Sequence, residues 1–161
     1  MYKKLLTLIL SLALAVSLFG CNVSPKYSHA ELVIPLPDSF SEIESEDFDA
    51  AYTDGDVAVA ILRISFAAGI YEGIPETFDE EEFGRFWLQK CNRAASMERR
   101  DGVSCCEYFE FQDGIEYYYF AAFYRSMNAY FVLLFAAESG SEELYKADFL
   151  SYARGVYFLD A

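Results

Sequence analysis

Three kinds of apolar pattern succeed one another along the chain. Residues 5–19 form an apolar run without a charge, residues 57–67, 115–126 and 129–138 are apolar on both phases of a two-residue alternation, and apolar residues recur at helical spacing after residues 77 and 141. In 57–67, Val57, Val59 and Ile61 share one face while Ala58, Ala60, Leu62, Ile64 and Phe66 share the other. In 115–126, Tyr118, Phe120 and Ala122 oppose Tyr117, Tyr119, Ala121 and Phe123. Strands with two apolar faces imply a sheet packed between two layers.

The remaining elements follow from turns and caps. Residues 31–36 are a short apolar strand stopped by Pro35 and Pro37. Strands 48–53 and 57–67 meet at Asp54-Gly55, and strands 103–112, 115–126 and 129–138 form a meander turning at Asp113-Gly114 and Met127-Asn128. Residues 69–75 are loop. A helix starts near Thr77, with Glu80 as capping-box partner, and carries Phe83, Phe86, Trp87, Cys91 and Ala94 on one face. Ser139-Gly140-Ser141-Glu142 opens a last helix with Tyr145, Phe149, Tyr152 and Val156 on its apolar stripe. The predicted order is β-β-β-α-β-β-β-α, an α+β domain over residues 31–161. Its six-stranded, largely antiparallel sheet is covered on both faces by helices and loops.

This layout resembles that of PsbP-like domains, named for an extrinsic subunit of photosystem II. The opening Leu32-Val33-Ile34-Pro35-Leu36-Pro37-Asp38-Ser39-Phe40 is similar to the family's apolar strand followed by proline and phenylalanine, and the long hairpins and closing amphipathic helix match as well. The resemblance implies an α/β/α sandwich and an accessory or assembly role. The metal- and partner-binding residues of the photosynthetic members have no counterpart here.

The first 21 residues carry a different message. Lys3 and Lys4 precede the 15-residue apolar run, which is shorter than the about 20 residues a membrane span needs but suits an export signal. It closes on Leu18-Phe19-Gly20-Cys21, which resembles a bacterial lipobox. The resemblance implies a signal peptide over residues 1–20, a diacylglyceryl thioether on Cys21, and a tether over residues 21–30 that holds His29. A plain secretory signal or an apolar first helix is the competing reading. The expected location is the extracytoplasmic face of the cell membrane, with the membrane itself and a cell-surface protein as partners.

Charge and composition then narrow the chemistry. The 161 residues hold 26 acidic and 12 basic side chains, 54% hydrophobic residues and a formal charge of −14, which excludes a disordered polyelectrolyte and argues against nucleic-acid binding. Removal of Lys3 and Lys4 with the leader leaves 10 basic against 26 acidic groups, so a bilayer of anionic lipid repels the domain, which is expected to stand off the membrane rather than lie on it. A single histidine makes Ser-His-Asp catalysis improbable, and no nucleophile, phosphate-loop or zinc motif is present. No catalytic residue, metal site or cofactor is expected.

Cys91, Cys105 and Cys106 remain once Cys21 is lipidated. Cys105 and Cys106 are too close along one strand to bond to each other; Cys91 meets one of them if its helix covers that strand, and three buried thiols are the leading expectation. The acids of residues 42–56 lack a calcium-loop spacing. The 15 Phe and 13 Tyr fit core filling, or an aromatic face for a ligand. Arg63 and Arg125 each interrupt an apolar strand, so each must reach the rim or a carboxylate. These two, with Tyr117, Tyr119 and Trp87, are the candidate contacts. The leading expectation is a binding or assembly module without catalysis. The alternative is a small-molecule or lipid carrier with a pocket between sheet and helix, lined by Tyr117, Tyr119, Trp87 and Arg125.

Overall fold

A computed structural model describes residues 31–159. Nine strands and three helices follow in the order β1 (Leu32–Val33), β2 (Ser41–Glu42), β3 (Ala50–Thr53), β4 (Val57–Ser65), α1 (Phe66–Tyr71), α2 (Glu80–Lys90), β5 (Glu98–Arg100), β6 (Val103–Gln112), β7 (Ile115–Arg125), β8 (Ala129–Glu138), α3 (Glu142–Arg154) and β9 (Tyr157–Phe158). The main sheet has seven antiparallel strands in the order β2-β3-β4-β8-β7-β6-β5, and β1 pairs with β9 in a separate two-stranded ribbon.

The alternation in β4, β7 and β8 divides the core into two layers. On one face Phe83 and Trp87 of α2 pack among Tyr119, Phe123, Tyr130 and Val132. On the other, Phe149 of α3 packs with Tyr118, Phe120, Leu133 and Phe135, and the β1–β9 ribbon adds Leu32. Phe83 stacks on Tyr130 at 4.4 Å, and Phe149 stacks on Phe135 at 5.0 Å. Each such aromatic side chain contributes about 1.5–3 kcal/mol by leaving water.

The sheet therefore differs from the six strands expected. Residues 32–33 leave the main sheet because Pro35 and Pro37 turn the chain away after two residues, and their partner is β9. Strands β2 and β5 join instead. Both are two or three residues of mostly charged side chains, too short to show a period. The Asp101-Gly102 turn behind β5 has φ of 48° and 89°, the same positive pair seen at Asp113-Gly114, with 50° and 82°.

Two helix boundaries also move. Strand β4 stops at Ser65, whose hydroxyl accepts from the Ala68 amide and starts α1 where strand and loop were expected. The capping box at α2 is Asp79 with Glu82, two residues beyond the Thr77–Glu80 pair of the same spacing.

Candidate functional site

Strands β4, β5 and β7 end, and β6 and β8 begin, at one edge of the sheet, termed the basal end. The opposite edge is the apical end. Arg63 lies opposite Phe131 and Arg125 lies opposite Tyr130, so both arginines flank the start of β8 at the basal end. Phe131 belongs to the α3 layer and Tyr130 to the α2 layer. Hence the two arginines occupy opposite faces of the sheet and do not form one site.

Each arginine has its own partners. Arg63 Nε donates to Glu31 Oε2 at 2.9 Å and Nη2 donates to Asn128 Oδ1 at 3.3 Å, while Asn128 Nδ2 donates to Glu31 Oε1 at 2.9 Å. The hydrogen bond from Arg63, then that from Asn128, hold the Glu31 carboxyl below its usual range. Arg125 is exposed, donates to the Glu76 carbonyl at 3.0 Å, and sits 5.1 Å from the Phe66 ring.

The other expected contacts are interior. Trp87 and Tyr119 are fully buried, Trp87 edge-on to Phe123 at 5.6 Å and Tyr119 stacked on Tyr108 at 5.0 Å. Gln112 Nε2 donates to the Tyr119 hydroxyl at 2.9 Å. Tyr117 is buried near the apical end, opposite Glu138 of β8. Tyr117 and Arg125 are eight residues apart on β7, roughly 27 Å along an extended strand. They do not line one pocket with Trp87, and side chains fill the space between sheet and α2.

A cluster not expected from the sequence lies beside that core. Helix α2 ends with Asn92 at φ 52°, the Asn92 amide donating to Gln89 O at 3.1 Å and the Arg93 amide to Leu88 O at 2.9 Å. This Schellman closure folds Arg93 back against the sheet. Its side chain, 7% exposed, donates to Glu110 at 2.7 Å, with the guanidinium carbon 4.8 Å from the Tyr108 ring and 5.4 Å from Trp87. The signal that could mark it is Asn92, a residue that tolerates positive φ and can close a helix, although Cys91 and Ala94 continue the helical period across it.

The thiols divide between the layers. Cys106 lies in the α2 layer with Cys91 at its margin, and Cys105 lies in the α3 layer. None of the three is in a disulfide, and burial raises Cys91 and Cys105 to about 11 and Cys106 to about 12. An open hollow of about 330 Å³ lies along Glu42, Ile43, Glu44, Ser45, Phe48, Asp49 and Ala50. Among the described residues, no group of three or more His, Cys, Asp or Glu is placed to hold a metal ion. Within the same residues, no helix is long and apolar enough to cross a membrane. Cys21 and His29 lie outside the described residues.

No protein-family model matches the chain, and no curated protein matches it. Solved structures do. The solution structure of cyanobacterial PsbP from Synechocystis sp. PCC 6803 superposes with a TM-score of 0.55 at 10% identity, covering 87% of this chain and 99% of that one. The fold is PsbP-like. A crystal structure from Bacteroides thetaiotaomicron VPI-5482 superposes with a TM-score of 0.50 at 12% identity over 83% of this chain. The present chain spans half the length of that protein. At these identities the likeness is one of PsbP-like fold.

Proposed function

We propose that the chain is a lipid-anchored extracytoplasmic binding or assembly module that works through its surface and performs no catalysis. The observation that carries this reading is the division of the candidate residues: the aromatic ones serve the core, and the cationic ones stand apart on two faces. That division counts against a ligand pocket beneath α2. The lipobox-like Leu18-Phe19-Gly20-Cys21 supports the anchor.

The partner surface in this reading is the outer part of β6. Phe109 and Phe111 alternate on the α3 side of that strand, and Phe111 is 71% exposed. Phe109 rests against the Tyr118 ring at 5.5 Å, which holds it in place. Two ordered, exposed aromatics on one strand face are the kind of anchor that protein interfaces use.

The test is crosslinking in membranes that contain the lipidated protein, followed by purification and identification of the captured protein. The reading expects one captured protein with the native chain, and loss of that band in the Phe109→Ser/Phe111→Ser variant at unchanged secondary structure. The same capture by both chains removes this surface from the account.

A further inference from the structure

We infer that the basal end of the domain seats on the lipid bilayer, with Met127, Tyr71, Ile70 and Leu159 entering the headgroup region. This rests on the lipid-anchor reading given above.

The chain enters the domain at the basal end. Glu31 is fixed at the basal end by Arg63 and Asn128, and Leu32 is paired with Phe158. Nine residues, 22–30, separate Glu31 from Cys21, and they span at most roughly 30 Å. A diacylglyceryl group at Cys21 therefore keeps this end close to the membrane. The apical end lies a further ten-residue strand away, about 34 Å for β8.

The basal end also displays large apolar side chains. Met127, at the β7–β8 turn, is 96% exposed, and Tyr71, at the end of α1, is 91% exposed. Ile70 and Leu159 are exposed as well. Hydrogen bonds tie the segments that carry them to the β7–β8 turn. The Phe66 amide at the start of α1 donates to Asn128 O at 2.8 Å, and the Leu159 amide donates to Glu31 O at 2.9 Å. Glu31 and Asn128 are themselves hydrogen-bonded. Large apolar side chains held on tight turns have no partner in the fold, while a bilayer interface accepts both methionine and the amphipathic tyrosine ring.

Charge favours the same orientation. Arg63, Arg99, Arg100, Arg125 and Arg154 lie toward the basal end, where Glu31 pairs with Arg63, Asp49 accepts from the Arg63 amide, Glu98 and Glu107 pair with Arg100, Asp101 pairs with Arg154, and Glu72 and Glu76 follow α1. This end is close to charge balance. Asp54, Asp56, Asp113, Glu116, Glu138 and Glu142 sit at the apical turns. Repulsion from anionic lipid thus falls mainly on the end that points away from it, and orients the domain instead of expelling it. Exposed Arg125 has an apolar stem that suits the interface, with its head among phosphates.

The experiment uses full-length protein matured in cells, extracted in detergent and reconstituted into vesicles of phosphatidylglycerol and phosphatidylethanolamine, with or without brominated acyl chains. Met127→Trp reports the basal end and Phe111→Trp the apical one, against a Trp87 that is buried in the core. The expected result is a blue shift and loss of emission for Met127→Trp in brominated vesicles, with Phe111→Trp unchanged. Vesicle-bound protein in which neither tryptophan is quenched overturns the seating and leaves the anchor intact. Native protein that stays in solution, like its Cys21→Ser variant, overturns the anchor and the seating together.

Discussion

Glu31 and Arg63, 32 positions apart in sequence, meet through a 2.9 Å hydrogen bond that fastens the first described strand to the end of β4. Asn128, from the β7–β8 turn, bonds to both, so three distant segments close one ring. Both ion-pair partners are mostly shielded, and the pair contributes about 1 kcal/mol or less by the standard of partly exposed pairs.

The pH dependence of that ring follows from Glu31. Its folded-state pKa is depressed, chiefly by the hydrogen bond from Arg63. Its contribution to stability is therefore present above the carboxyl's unfolded value, about 4.3, and is lost as pH falls through the folded value. Thermal melts of native protein and Glu31→Gln should differ at pH 7 and converge once pH has fallen below the depressed folded value. A gap that persists at low pH contradicts the assignment.

Arg93 holds the margin of the α2 layer together. Arg93→Ala removes the cation between Tyr108 and Trp87, at a cost of about 2 kcal/mol that comes mainly from the ring contacts, because the partly exposed Glu110 is solvated once its partner is gone. Arg93→Lys loses the planar stacking but keeps the charge, so it should cost about half as much. Urea unfolding midpoints decide both, and equal losses in the two variants would show that stacking alone matters.

Phe149 is the corresponding residue of the α3 layer, stacked with Phe135 at 5.0 Å and Tyr145 at 5.8 Å. Phe149→Ala should lower stability by about 3–5 kcal/mol and promote aggregation. A loss below about 1 kcal/mol would mean that α3 does not close this face.

Thiol titration tests burial and processing at once. Burial raises all three core thiols to about 11 or 12, so at pH 8 their thiolate fraction is small and the folded protein should not react with a disulfide reagent. In denaturant, membrane-extracted protein should show three reactive thiols where the sequence has four cysteines if Cys21 carries the proposed diacylglyceryl group. Rapid reaction of the folded form contradicts the first expectation, and a fourth thiol contradicts the second.

The two apolar phases of β4, β7 and β8 were legible because each phase fills a layer, and the same Val57-Val59-Ile61 and Tyr118-Phe120-Ala122 sets appear together in the α3 layer. The relation between Arg63 and Arg125 was not. Each one's phase on its own strand is plain, but which phase of β4 shares a face with which phase of β7 depends on their common register with β8. Trp87 and Tyr119 look alike as core or as ligand contacts in sequence, since burial is decided by where α2 lands. Arg93 escaped notice because its burial follows from the reversal at Asn92, a local turn that redirects one side chain. Strands β2 and β5 owe their existence to neighbours already in place, which leaves no trace in their own residues.

The lipid anchor is tested most directly by the intact mass of the protein extracted from membranes. The account predicts a chain that begins at Cys21 and carries a diacylglyceryl group on its sulfur. A chain that begins at Met1, or one whose Cys21 bears a free thiol, contradicts it.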